Sequence, residues 1–204
     1  MAPSETSTFD RIAAPYDRGM VPLEKLWLRQ MRTRLLPEAK GRVLEVGVGT
    51  GANFPFYSPS VCLTAVDEST DMLIVASGRA VALSRCVYLG KANAEHLAFP
   101  DGCFDTVVAT LVLCSVVDQH RALAELRRVL RRPGGRLLLI EHTRPQVQPL
   151  AWLADVVNLL WYAFNKRCHL NRKTQQAVIQ AGFRVERMEG KLGGLLRLIV
   201  AHPV

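Results

Sequence analysis

Short apolar runs alternate with amphipathic stretches along most of this chain. Arg42–Val46, Cys62–Val66 (ending at Asp67), Cys86–Leu89 and Arg136–Ile140 are apolar-rich and bounded by polar or glycine-containing segments, so each is read as a strand. Asp105–Leu111 carries an apolar run and is rich in β-branched side chains, as expected of a parallel strand buried on both faces. Between these runs the period lengthens. Thr70–Ala82 reads as a helix capped by Ser69 or Thr70. Gln119–Leu130 reads as another, with Leu123, Leu126, Val129 and Leu130 inward and Pro133-Gly134-Gly135 as its stop. Upstream, Phe9–Tyr16 and Pro22–Leu36 are predicted as two helices after a loose tail, Met1–Thr8. In the second, Leu23, Leu26, Trp27, Gln30, Met31 and Arg34 follow helical spacing, with Arg29, Arg32 and Arg34 near the exposed side. Downstream, Leu150–Phe164 and Arg172–Ala181 are predicted helices, the latter capped by Asn171 and ended by Gly182. Phe183–Met188 and Leu195–His202 are the last strands, joined through Gly190, Gly193 and Gly194.

This alternation predicts an α/β fold. It is a Rossmann-like three-layer sandwich around a mostly parallel seven-stranded sheet, preceded by N-terminal helices. The link between the last two strands is too short for a helical crossover, so one strand near the C-terminus must run antiparallel.

Glu45-Val46-Gly47-Val48-Gly49-Thr50-Gly51 fits a first strand turning sharply into a helix. Glycines let backbone approach a ligand where a Cβ would collide. The 204 residues fit one domain, and the composition is that of a globular protein. A net charge of +8 points to an anionic partner, an anionic membrane surface among them, or only to solubility. The five cysteines form no CxxC pair, so no metal site is expected; three fall in or beside predicted strands and read as small buried hydrophobes. Met1–Phe9 lacks the charged start and apolar core of a signal peptide, and Leu150–Phe164 is interrupted by Asp155 and Asn158. A cytoplasmic location is therefore expected, with the inner face of a membrane as a peripheral site.

Several segments stand in a telling order: Phe9-Asp10-Arg11-Ile12-Ala13-Ala14-Pro15-Tyr16-Asp17, the glycine turn, Asp67, Asn93-Ala94-Glu95 followed by Phe99–Asp105, and Leu126–Gly135. Together they resemble the class I S-adenosylmethionine-dependent methyltransferases, over roughly Phe9 to Leu139. Within that family, Gly49–Tyr57, Thr110–Val116 and Glu141-His142 are similar to the methyltransferase-like thiol methyltransferases, which act on small alkyl thiols at membranes. Phospholipid N-methyltransferases and quinone C-methyltransferases share the same motifs. The resemblance implies one methyltransferase domain over residues 1–204. Residues 1–36 form a helical cap, 37–141 the cofactor-binding half, and 142–204 an acceptor lid helix with the closing strands.

It also implies S-adenosylmethionine as cofactor. Gly47, Gly49 and Gly51 would pass under its tail and ribose, and Glu45 would hold its ammonium. Asp67, with Glu68 beside it, would accept the ribose hydroxyls; its competing role is a strand-end cap. Met72 would pack on the adenine unless it is plain core. Asn93, Ala94 and Glu95 would face the adenine edge. Thr110, Leu111 and Val112 would floor the methyl-transfer end, and Tyr16 would close the site above it. His142, and after it His169, are candidate bases for a thiol acceptor, whereas Cys114 reads as a packed thiol. The acceptor is expected to be small and lipophilic and to react at S or N, on a monomer or homodimer. A nicotinamide-dependent oxidoreductase is the rival reading, since Gly47, Gly49, Ala52 and Asp67 also satisfy the dinucleotide pattern. An inactive binding protein of the same fold is another. The absence of any base-flipping or RNA motif argues against a nucleic-acid substrate.

Overall fold

The computed structural model describes residues 13–165 and 168–204. The predicted tail and the start of the first helix at Phe9 lie outside them. Seven strands, β1 (Arg42–Val46), β2 (Cys62–Asp67), β3 (Val87–Lys91), β4 (Thr106–Thr110), β5 (Arg136–His142), β6 (Phe183–Lys191) and β7 (Leu196–Pro203), form one sheet in the order β3-β2-β1-β4-β5-β7-β6. β7 alone runs antiparallel, to β5 and to β6, while β1 to β5 pair in parallel.

Strand side chains alternate between two cores. Leu44, Val107, Leu137 and Leu139 face one core, closed by α4 (Gln119–Val129) and α6 (Thr174–Gln180) through Leu123, Leu126, Val129 and Val178. Val43, Val108, Leu138, Ile140 and Leu198 face the other. That core is closed by α2 (Arg29–Leu35) and α3 (Thr70–Ala82) through Met31, Leu35 and Ala76. The helix starts are built as their sequences imply. Ser69 Oγ accepts the Met72 N–H at 3.2 Å, and Asp118 Oδ1 accepts those of His120 and Arg121 at 2.9 and 3.0 Å.

The N-terminal region departs from expectation. A helix α1 (Ala13–Leu23) runs through Pro22 into a π turn, Glu24–Leu28, and on into α2 without a break. Proline cannot supply the N–H its turn needs, and a widened turn just after it keeps the helix continuous. The extra residue rotates the subsequent face by about 100°. Leu26, expected inward, is therefore 60% exposed. Arg32, expected outward, is 5% exposed and pairs with Glu24 Oε1 at 2.9 Å. Helix α6 starts at Thr174 rather than Arg172, because Asn171 Nδ2 turns to Asp155 Oδ1 (3.2 Å) instead of capping. Asp155 belongs to α5 (Gln148–Asn165). Cys62 and Cys86, expected as buried strand thiols, are exposed at the strand ends. Among the described residues no helix is long and apolar enough to cross a membrane.

Candidate functional site

Strand order reverses between β1 and β4, and the crevice beyond their C-terminal ends is where open α/β sheets bind ligands. The glycine turn forms one wall. Gly47 has φ +67°, and a Cβ there would lie 2.3 Å from Val112 Cγ2. Gly49 has φ +53°, and a Cβ there would meet nothing within 4 Å. Its N–H donates to Asp67 Oδ2 at 2.8 Å, while Asp67 Oδ1 accepts the Ser69 N–H at 2.9 Å. Burial raises the Asp67 pKa despite these bonds.

The crevice holds two adjoining lobes. The first, about 290 Å³, is lined on one side by Asp67, Glu68, Met72, Asn93, Ala94 and Glu95, and on the other by Val112 and Ser115–Val117. The second, about 690 Å³, lies under α1 and the π turn. Tyr16, Gly47, Gly49, Thr110 and Leu111 line both. Burial pushes the Tyr16 phenol up to about 12, so it stays a neutral donor. The helical roof is tied to the glycine turn: Thr50 Oγ1 donates to Asp17 Oδ1 at 2.7 Å, and Arg79 of α3 pairs with the same carboxylate.

The second lobe contains a charge pattern that spacing does not show. Glu45 is 1% exposed, and burial lifts its pKa to about 7. Its oxygens accept from Asn53 Nδ2 (2.8 Å) and Tyr57 OH (2.9 Å). Asn53 Nδ2 also reaches Thr110 Oγ1 at 3.1 Å. That leaves Asn53 Oδ1 buried without a partner among the described residues, and Arg32 Nε is in the same condition. Both residues line the lobe. One open acceptor and one open cationic donor fit the ammonium and carboxylate of an amino-acid group.

The floor of the site is shaped by a residue absent from the expected set. Glu141, at the buried end of β5, accepts the N–H groups of Val112 (2.8 Å), Leu113 (2.8 Å) and Cys114 (3.2 Å). These bonds hold the loop after β4, where Leu111 has φ +58°. Burial lifts the Glu141 pKa to about 7. Its sequence signals were a carboxylate ending a strand of leucines and its place in the Glu141-His142 pair, neither of which showed that it holds the loop after β4. Glu95 lines the first lobe and uses Oε1 to hold the Val117 and Asp118 N–H groups at 2.8 and 3.1 Å. Asn93 Oδ1 accepts the Glu95 N–H at 2.7 Å, which leaves one lone pair for a ligand.

Three expected residues stand outside both lobes. Gly51 sits against the Phe54 ring, 2.6 Å from where a Cβ would be. His142 ends β5 and has Nδ1 3.6 Å from Cys168 Sγ. His169 donates its N–H to the Cys114 carbonyl at 2.8 Å, and burial lowers its pKa.

Comparison with known proteins gives this geometry a family. The family described as "Methyltransferase domain" matches residues 44–139. Human thiol S-methyltransferase TMT1A is 34% identical over 179 residues, 85% of this chain and 72% of that protein. Phosphatidylethanolamine N-methyltransferase of Cereibacter sphaeroides is 41% identical over 113 residues, 54% of this chain and 55% of that protein. A solved S-adenosylmethionine-dependent methyltransferase from Thermotoga maritima superposes with a TM-score of 0.73 at 25% identity, over 96% of this chain and 98% of that one. The crevice between β1 and β4, its glycine wall and these likenesses agree: the chain belongs to the class I S-adenosylmethionine-dependent methyltransferases, with S-adenosylmethionine as its cofactor.

Proposed function

We propose that this enzyme methylates the sulfur of a small, lipophilic thiol. The observation that carries the reading is the pair of adjoining lobes, which meet at Tyr16, Thr110 and Leu111. The similarity to a thiol S-methyltransferase over 85% of the chain supports the acceptor class. S-adenosylmethionine, when bound, supplies an electrophilic methyl carbon on a sulfonium.

The remaining tasks fall to the protein. Asp67 has lone pairs left for the ribose hydroxyls after serving Gly49 and Ser69. Met72, 2% exposed on the wall of the first lobe, offers its thioether to the adenine face. Asn93 and the Ala94 N–H address the adenine edge. Asn53 Oδ1 and Arg32 Nε hold the amino-acid tail, and Glu45 fixes the Asn53 amide so that its oxygen points away. Met20, Val21, Val48 and Phe56 line the second lobe and give it an apolar part for an alkyl chain. Closure of the crevice by Tyr16 keeps water from the sulfonium. A simple alkyl thiol is mostly protonated at neutral pH, since even the cysteine thiol ionises only at about 8.5. The sulfonium is already activated, however, the displacement depends chiefly on alignment, and both candidate histidines stand outside the two lobes. Neither His142 nor His169 is therefore assigned the thiol proton.

The deciding experiment is methyl transfer by the purified enzyme to three acceptors: an alkyl thiol, phosphatidylethanolamine vesicles and a demethylated quinone. Thioether formation at a kcat/KM well above the other two is expected. Faster transfer to the lipid amine or the quinone carbon sinks the thiol reading and leaves the cofactor site untouched.

A second reading concerns location. Helix α5 turns Trp152 (67% exposed), Leu153, Val156 and Val157 outward. We infer that this face rests on the interfacial region of a membrane, where a lipophilic acceptor is concentrated.

A further inference from the structure

A cluster of ligand-type side chains stands outside both lobes of the crevice and has no part in the cofactor contacts described above. Cys114 comes just after the stretch that floors the first lobe, His142 ends β5, and Cys168 lies in the link between α5 and α6. The Cys114 and Cys168 sulfurs are 3.6 Å apart, and Cys168 Sγ is 3.6 Å from His142 Nδ1. One ligand atom from each of the three lies within 4.8 Å of the others. A tetrahedral zinc ion with Zn–S of about 2.3 Å and Zn–N of about 2.0 Å sets its sulfurs about 3.8 Å apart, and sulfur and nitrogen about 3.5 Å apart. Two of the three edges, both at Cys168 Sγ, are close to those of a tetrahedral face, and the third, from Cys114 Sγ to the imidazole, is no longer than 4.8 Å.

The backbone under each ligand is fixed independently. Glu141 Oε2 accepts the Cys114 N–H. The His169 N–H donates to the Cys114 carbonyl at 2.8 Å, and the Leu170 N–H donates to Asn158 Oδ1 of α5 at 2.7 Å, so both residues after Cys168 are anchored. Arg172 donates to the Leu113 and Val116 carbonyls at 2.6 Å each and locks the link onto the loop. His142 is held by its pairing with Leu196. Glu141, beside His142 in the chain, is spent on loop N–H groups, and the donor set is two sulfurs and one imidazole. That set selects a thiophilic cation over calcium or magnesium.

We propose that Cys114, His142 and Cys168 form a zinc site with an exchangeable fourth position. Binding releases both thiol protons to solvent, and the two thiolates neutralise the ion. Three protein ligands leave one position open, which is the arrangement of reactive rather than structural zinc. The loop that carries Cys114 also presents Val112, Ser115 and Val116 to the first lobe, so an ion held there would be joined to the wall of the crevice through this loop. Assigning the acceptor thiol as the fourth ligand rests on the proposed thiol methylation; the metal site itself does not.

The test uses reduced, metal-stripped full-length protein titrated with Co²⁺ and then Zn²⁺. One equivalent of Co²⁺ should give a thiolate charge-transfer band and intense tetrahedral d–d bands, both removed by Zn²⁺. Cys114→Ser, Cys168→Ser and His142→Ala should each weaken affinity by about a hundredfold or more. Calorimetric binding of S-adenosylhomocysteine identifies the variants that fold. If none does, zinc X-ray absorption of the wild type decides, with two sulfurs and one nitrogen expected. Wild-type Co²⁺ affinity no better than that of folded Cys168→Ser, a weak octahedral spectrum, or an oxygen-dominated shell overturns the site. Ethanethiol should shift the visible bands. An unshifted spectrum overturns the exchangeable position, whether or not the enzyme methylates thiols.

Discussion

Arg32 and Asn53 leave opposite halves of a polar contact open in the same lobe, and this makes the tail site testable without touching the adenosine site. Arg32→Met keeps the apolar stem and removes the cationic donor, while Glu24 can turn to water. We expect affinity for S-adenosylhomocysteine to fall about tenfold to a hundredfold, the range of a charged hydrogen bond. Affinity for methylthioadenosine, which has no amino-acid tail, should change less than about twofold. Calorimetry on both ligands checks this, and an equal loss on both would mean that Arg32 only props the fold. Gly47 makes the second residue-scale case. Gly47→Ala forces a Cβ onto Val112 at a left-handed φ. It should cost about 1–3 kcal/mol in urea unfolding. Adding Val112→Ala to it should recover part of that loss, because the clash is with Val112 Cγ2. If the double variant is no more stable than Gly47→Ala, the clash is not the cause.

At the scale of elements, α5 has two faces with different duties. Ala151 and Ala154 pack inward. Asp155 accepts from Arg144 and Asn171, and Asn158 from the Leu170 N–H. The two polar residues that interrupt this apolar stretch are thus the tethers of the α5–α6 link. The outward apolar residues bear no such load. Trp152→Ser with Val156→Ser should change stability by under about 1 kcal/mol and abolish flotation with anionic vesicles at low salt. Wild-type-like flotation of that variant would remove α5 as the contact. The same contrast shows what spacing conveys. The central strands were legible because a sheet buried on both faces demands apolar runs. The antiparallel finish was legible because a short link permits nothing else. The single N-terminal helix was not, because one proline is locally a stop signal, and only packing against the sheet decides that a π turn is the cheaper outcome. Asp67 and the glycine wall could be read because local geometry sets their distance. Glu141 and the Cys114–His142–Cys168 cluster could not, because separate strands and loops bring their members together.

For the whole molecule, the two buried carboxylates set a pH dependence with a definite sign. Glu45 and Glu141 hold their protons to about pH 7 when folded, against an ordinary value of 4.5. Between those limits the unfolded chain binds fewer protons, so stability must fall as pH rises from about 4.5 to about 7 and level off above. Each group contributes on the order of 3 kcal/mol across that window. Urea unfolding from pH 5 to pH 8 should show the decline in the wild type and a shallower one in Glu45→Gln. Identical slopes would show that Glu45 is ionised throughout.

The bonds that Asp67 makes to Gly49 and Ser69 also bear on turnover. Because this carboxylate already secures the cradle from inside, the enzyme between cycles has the shape it needs for the next one. The glycine turn and the start of α3 are held to each other through this carboxylate before any ligand arrives, so little ordering entropy at the cradle itself opposes capture of the cofactor.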